Sequence, residues 1–192
     1  AIEMMAAFIL CVPHHNGQEE KAKKAVVKTI CDEQKHLKLY INRLHSLGYE
    51  FGDFPLNSFF WSKMPVIKSA SEYFAIMALT FEAANLDFAY QYMNIFSELD
   101  DNESAKTMEI VYKDEISHVA LGAFWLNQWK NDKKLWEYYR NILPQGLTPA
   151  RSKGVHFNFD ARIQSGLDQE FVEKAQNYRD DFQVTNRKSW DF

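Results

Sequence analysis

The sequence predicts an all-α protein built on a bundle of four helices, and three observations support this prediction. Apolar residues recur at helical spacing through most of the 192 residues, without the alternation typical of strands. Two D-E-x-x-H motifs lie in strongly helical sequence, at Asp32–His36 and Asp114–His118. Each follows a single upstream glutamate, Glu3 or Glu82. The repeated order of glutamate, turn and motif predicts two similar helical hairpins.

The first hairpin begins with residues 1–12, which are almost all apolar and end before Pro13, a residue that a helix interior does not tolerate. Residues 18–47 form an amphipathic helix that stops at Gly48. Its apolar side consists of Val26, Ile30, Leu37, Tyr40, Ile41 and Leu44. Glu3 falls at the very start of its helix, so we expect part of the first helix to be missing from this sequence.

A long connection rich in aromatic residues, 49–68, follows the first hairpin. Its aromatic side chains are Tyr49, Phe51, Phe54, Phe59, Phe60 and Trp61. A link of this length between helices is unusual unless it packs on the protein or has a role. Ser69 or Ser71 can cap a third helix, which we expect to run to about Ser97.

The fourth helix is predicted from about Ser104 to Trp129, after the acidic turn Glu98–Glu103. Glu82 and Glu115 can lie level on antiparallel helices only if the turn falls near their midpoint. That midpoint lies between residues 98 and 99, close to the acidic turn. The spacing therefore fits a hairpin that brings both glutamates to one level.

Beyond the fourth helix we expect a shorter helix over about 133–142 and a last helix near 168–180. The pattern offers no linker long enough to divide domains, so we expect a single domain over 1–192. Its core bundle would take in about residues 1–130, and residues 131–192 would form a covering segment with extra helices.

The two hairpins carry a predicted ligand set for two metal ions. On a helix, residues i and i+3 project from one face, so each Glu-x-x-His pair can offer an oxygen and a nitrogen to one ion. The candidate ligands are Glu3, Glu33, His36, Glu82, Glu115 and His118. Glu33 and Glu115 are expected to bridge the ions, with Glu3 and Glu82 as outer ligands. Four carboxylates would cancel the charge of two divalent ions, and imidazole suits iron or manganese.

An aspartate precedes the bridging glutamate in both motifs. Metal-bound histidines usually donate their second N–H to a carboxylate. We therefore expect Asp32 to orient His118 and Asp114 to orient His36. The alternative is a pair of exposed aspartates with no such role.

Two tyrosines are candidates for an oxidisable residue near the metals. Tyr112 lies three residues before Glu115, and Tyr40 lies four residues after His36, so both are predicted to face inward. Most inward tyrosines are instead core residues with one hydrogen bond.

Composition excludes several other classes of protein. A net charge of −4 argues against nucleic-acid binding through a basic field. No apolar run is long enough to span a bilayer, and no signal peptide is found, so a cytoplasmic protein without a membrane association is expected. Cys11 and Cys31 are predicted to be free thiols, which agrees with that location.

These residues resemble the ferritin-like superfamily, and more closely a bacterial family of ferritin-like proteins of unknown function. The matching segments are Ala1–Glu3, Asp32–Leu37, Gly52–Asn57, Leu79–Asp87, Asp114–Ala120, Lys153-Gly154 and Ala161-Arg162. The resemblance implies a metal-binding four-helix core, but it supplies no substrate. The tRNA-hydroxylating di-iron enzymes look like more distant relatives.

The predicted function is O₂-dependent oxidation of a small organic substrate at a two-iron centre. A Mn/Fe or Mn/Mn pair is the alternative metal content, an electron donor is a possible partner, and a homodimer is a possible assembly. Metal handling without an organic substrate, as in iron oxidation and storage, is the rival function. The long connection and the covering segment favour the enzyme, since both could wall a pocket. Arg151, Lys153 and Arg162 could meet an anionic group, although a solvated face is the simpler interpretation.

Overall fold

The computed structural model describes residues 1–59 and 61–179, and this part of the chain is helical with connecting loops. The α-helices are α1 (Ile2–Cys11), α2 (Gly17–Ser46), α3 (Ala70–Ile76), α4 (Ala83–Glu98), α5 (Asn102–Trp129), α6 (Leu135–Ile142), α7 (Phe159–Gln164) and α8 (Gln169–Asn177). Short 3₁₀ segments span Trp61–Val66 and Pro149–Ser152. The predicted all-α class is confirmed.

Most predicted helices appear within one or two residues of their expected bounds. Ser69 caps α3, since its hydroxyl accepts from the Glu72 N–H at 3.2 Å. Sequence patterns missed α7 and the two 3₁₀ segments. Phe60 and residues 180–192, which include the last residue predicted for the final helix, lie outside the described residues.

The segment Met77–Glu82, between α3 and α4, is wound as a π-helix and is called the π turn below. A π-helix closes i→i+5 hydrogen bonds, so it holds one more residue than an α-helical turn. After the π turn, the Ala83 N–H bonds to the Ala78 carbonyl five residues earlier. No pattern in the sequence indicates this change in winding.

The chain forms two compact units, and their boundaries fall inside helices. Unit 1 consists of Ala1–Tyr73 and Ala89–Asp114, and unit 2 of Phe74–Phe88 and Glu115–Phe192, of which residues 180–192 are not described.

In unit 1, α1 and α2 pack as a hairpin held by side chains from both helices. The Asn16 side chain caps α2 by accepting from two backbone N–H groups at 3.0 Å. Lys23 is buried and donates to the carbonyls of Ile9 and Val12 at the end of α1. These carbonyls would otherwise lack a helical partner, so a cation there satisfies the helix end and its dipole. Both cysteines are free, as predicted, and both are exposed.

The far end of unit 1 is fixed by Arg43 of α2. Its guanidinium contacts both carboxylate oxygens of Asp101 at 2.8 Å and the Ser104 hydroxyl at 2.7 Å. Hydrogen bonds from Ser104 and Arg43 lower the pKa of Asp101 to about 2. Asp101 caps α5 while it is ionised, so the start of α5 and the end of α2 are joined at one carboxylate.

In unit 2, the helices of the tail pack their aromatic and aliphatic side chains together. Tyr139 and Phe171 are buried, with ring centroids 5.4 Å apart, and Trp136 packs against both. Val172 and Ala175 of α8 complete this cluster of buried side chains.

A buried ion pair ties the tail to α4. Arg162 and Asp87 are each 1% exposed, and their side chains form two hydrogen bonds of 2.7 and 2.9 Å. Asp87 also accepts from the backbone N–H groups of Gly154 and Asn158. Because every carboxylate oxygen and the guanidinium have partners, the two charges are tolerated inside the protein.

Ring and polar contacts follow the second predicted hairpin along its length. Within unit 2, Phe74 packs on Trp129 with ring centroids 5.9 Å apart, and Asn85 contacts Glu115. Within unit 1, Tyr90 packs on Tyr112 at 5.3 Å. From one contact to the next, the residue number in the first helix of the hairpin rises while that in the second helix falls, as expected for antiparallel helices. In the described part of the chain, no helix combines the length and apolar character needed to cross a bilayer.

Candidate metal centre

The first Glu-x-x-His pair lies on α2 in unit 1. His36 is 3% exposed, and its Nδ1 lies 3.3 Å from Oε1 of Glu33. Its other ring nitrogen, Nε2, lies 2.8 Å from Oδ2 of Asp114. Lys35 reaches the same Asp114 oxygen at 2.5 Å from a largely solvated position. The buried imidazole is therefore held between two carboxylates on opposite sides of its ring.

The electrostatics of Asp114 follow from these contacts. Partial burial acts to raise the pKa of Asp114, but hydrogen bonds from Lys35 and His36 outweigh it and hold the pKa below its usual value. Asp114 is therefore a carboxylate at neutral pH, and it accepts a hydrogen bond from Nε2 of His36. The other ring nitrogen, Nδ1, faces Glu33.

The second pair lies on α5 in unit 2. His118 is 3% exposed, and its Nδ1 lies 3.4 Å from Glu115 and 3.9 Å from Glu82. Glu115 and Glu82 are both buried. Asn85, one helical turn after Glu82, donates from Nδ2 to Glu115 Oε1 at 3.0 Å. Two carboxylates and one imidazole thus meet in the interior of unit 2.

Both pairs share one geometry. In each motif the histidine directs Nδ1 toward the glutamate three residues before it. The i, i+3 spacing on a helix brings the two side chains to the same face. In His36 the second ring nitrogen, Nε2, contacts Asp114.

Three of the predicted ligands, all in unit 2, gather into one group that could hold a metal ion. One ligand atom from each of Glu82, Glu115 and His118 lies within 4.8 Å of the other two. Carboxylate oxygens with one imidazole nitrogen suit a borderline divalent ion such as iron, manganese or zinc. The donor set therefore fits a metal, and it does not by itself select which one.

The remaining predicted site residues are placed differently. Glu3, a predicted outer ligand, is exposed in the first turn of α1. Asp32 is partly buried, with Lys35 3.4 Å away. Tyr40 is 40% exposed, so its expected inward position is wrong. Tyr112 is partly buried and packs on Tyr90.

Tyr40 instead lines an open cavity of about 480 Å³ in unit 1. Its apolar walls are Leu44, Leu47, Tyr92, Phe96 and Met108, and the Arg43–Asp101 pair lies at one side. Tyr40 thus borders an open cavity rather than a closed core.

Two cationic residues of the tail, Arg162 and Lys153, bind groups of the protein itself. Arg162 is buried against Asp87 rather than solvated, which overturns the simpler interpretation of that residue. Lys153 donates to the carbonyls of Ala175, Gln176 and Tyr178 and so caps the end of α8. Burial lowers the pKa of Lys153, with help from the nearby guanidinium of Arg179.

The fold and the site define an all-helical protein with a buried glutamate–histidine group that could hold a metal ion. The chain belongs to the family described as "Protein of unknown function (DUF455)", whose model matches residues 1–173. It is also similar to an uncharacterized protein of Haemophilus influenzae, with 27% identity over 169 residues. The match covers 80% of this chain and 56% of that protein, so the chain spans little more than half of its relative. No solved structure gives a significant match. Family membership therefore supplies neither a substrate nor a metal.

Proposed function

We propose that this chain is a ferritin-like, two-metal carboxylate protein that carries iron and oxidises a small organic substrate with O₂. The observation that carries the proposal is the meeting of two buried carboxylates, Glu82 and Glu115, at the imidazole of His118 inside unit 2. Like charges this close in a largely buried place repel each other unless protons or a cation neutralise them. A divalent ion meets that need and also uses the imidazole of His118.

The predicted ligands would divide between two ions, and the ligand set of one ion is more complete than that of the other. Glu82, Glu115 and His118 would hold one ion, with Glu33 shared. His36 with Glu33 and Glu115 would hold the other, and Glu3 is the proposed fourth ligand of that ion. Because Glu3 is exposed, the second set is less assembled, and we expect the second ion to bind more weakly.

Neighbouring side chains keep the ligands in position. Asp114 accepts from Nε2 of His36, which fixes the tautomer that presents a lone pair at Nδ1. Asn85 holds one oxygen of Glu115 and leaves the other to face His118. Orienting contacts of this kind raise metal affinity because fewer ligand motions are lost on binding. When bound, a pair of iron ions supplies the electrons needed to activate O₂ for oxidation of an organic substrate.

Iron loading tests this proposal and separates it from storage. Metal-free protein is mixed with excess ferrous iron in air, passed through a gel-filtration column, and assayed for iron per chain. The enzyme proposal expects about two irons per chain. Tens per chain would favour the rival function, iron oxidation and storage.

The matched variants are Glu115→Gln and Glu109→Gln, which remove one carboxylate charge from the same helix. Glu109 is partly exposed and paired with Lys113, so its loss should leave iron binding unchanged. Glu115→Gln should lower the iron content to less than one per chain. Wild-type protein that retains no iron after this treatment would refute the metal site altogether.

A further inference from the structure

The π turn that carries Glu82 is bound by the tail on its inner side. The Thr80 hydroxyl donates to the Ala75 carbonyl at 2.8 Å, and the Tyr139 hydroxyl lies 2.8 Å from the same Thr80 oxygen. Thr80 and Tyr139 are completely buried. A threonine hydroxyl has one proton, so Tyr139 is the donor to Thr80. Complete burial raises the pKa of Tyr139, which keeps that proton in place.

A second residue of the tail binds the backbone just after the π turn. Nη2 of Arg162 donates to the Ala83 carbonyl at 3.0 Å, to Asp87 at 2.9 Å and to the Ser152 carbonyl at 2.8 Å. Ala83 directly follows Glu82. The tail therefore contacts the helix two residues before Glu82 and one residue after it.

These contacts matter because a π turn can lie at more than one place along a helix. It contains one extra residue, and moving that residue past a side chain rotates the side chain by about 100° around the helix axis. Such a shift would turn the Glu82 carboxylate away from His118 and Glu115. Contacts that hold the backbone on both sides of Glu82 oppose the shift.

We propose that Tyr139 and Arg162 are positioning residues that fix the π turn and thereby aim Glu82 at the metal. The inference rests on the proposed function for its metal, while the anchoring of the π turn can be measured without one. The tail then has a role in metal affinity as well as in packing.

The test uses Tyr139→Phe, Thr80→Val and the double variant in the full chain. Tyr139→Phe keeps the ring that packs on Trp136 and Phe171 and removes only the hydroxyl. Loss of one buried hydrogen bond should speed amide hydrogen exchange over residues 77–83 of metal-free protein by about five- to tenfold. It should weaken Mn²⁺ binding by a similar factor. If the shared hydrogen bond is the cause, the double variant should be no worse than Thr80→Val alone, which already removes the Thr80 bonds to both Ala75 and Tyr139.

Val172→Ala is the control for a general loss of stability, because Val172 is fully buried in α8 and belongs to the same tail. It should lower the melting temperature without changing Mn²⁺ affinity or exchange over 77–83. Wild-type exchange and Mn²⁺ affinity in Tyr139→Phe would overturn the inference, as would equal effects from Val172→Ala. Wild-type protein that binds no Mn²⁺ would refute the proposed function instead, and the exchange rates would still test the anchor.

Discussion

At the scale of single residues, local spacing predicted which side chains come together, but not which of them are buried. The Glu33–His36 and Glu115–His118 contacts follow from the i, i+3 geometry that any α-helix imposes. The exposure of Glu3 depends on what packs over the first turn of α1, and short-range sequence does not contain that information. The same limit explains Tyr40, which shares a face with His36 but lies beside an open cavity.

Asp114→Asn tests the orienting carboxylate. The asparagine keeps the shape but loses the charge that accepts from His36, so metal affinity should fall about 10- to 100-fold while the fold is retained. Calorimetric titration with Mn²⁺ measures the affinity, and circular dichroism checks the fold. Glu109→Gln, which changes the same charge on the same helix, should bind as wild type does. Unchanged affinity in Asp114→Asn would show that the Asp114 charge does not contribute to metal binding.

At the scale of elements, the helices were predictable and the π turn was not. Helix bounds follow from capping residues and from apolar residues at 3.6-residue spacing. The region from Tyr73 to Ala84 is buried on all sides, so no polar face records a change in winding. Some residues of the π turn are also common in α-helices, so its composition does not distinguish it from an ordinary helical turn. Asn85, which holds Glu115, could have been found as the residue one turn after Glu82.

Gly122→Ala tests how closely α5 approaches the π turn. A Cβ at Gly122 would overlap the Cβ of Ala78, so the two helices would have to move apart. Overpacking of this kind costs about 1–3 kcal/mol, more than the ~1 kcal/mol that alanine gains over glycine in a helix. Urea unfolding should therefore show a net loss of stability.

Gly17→Ala is the matched control, since nothing lies within 4 Å of a Cβ at Gly17 in the first turn of α2. It should be neutral or slightly stabilising. A Gly122→Ala protein as stable as wild type would show that the close approach of α5 and the π turn is not maintained in solution.

At the scale of the whole molecule, fold class was predictable because helical periodicity extends over most of the chain. The attachment of the tail was not, because Asp87 and Arg162 lie 75 residues apart and each alone has the sequence character of a surface charge. Family membership over residues 1–173 agrees with a resemblance that covers nearly the whole chain. The ferritin-like arrangement itself stays a prediction.

Metal should stabilise the folded chain by mass action. At a free Mn²⁺ concentration about 100 times the dissociation constant, the gain is ~2.7 kcal/mol for one site. For a chain of this length that corresponds to a rise in Tm of about 5–10 °C. Differential scanning calorimetry with and without a chelator measures the shift. His118→Ala should abolish most of the shift. A wild-type Tm that is the same with and without metal would contradict the proposed site.

The enclosed Asp87–Arg162 pair also determines how the tail can close on the helix that carries Glu82. Desolvation offsets much of the attraction between the two charges, so the pair adds little net strength. Displacing the tail by one helical turn, however, would enclose a guanidinium without its carboxylate, at a cost of about 3–5 kcal/mol. Misaligned closures are therefore penalised far more than the correct one is rewarded. The ion pair therefore selects a single alignment of the tail, and with it a single orientation of the Glu82 carboxylate.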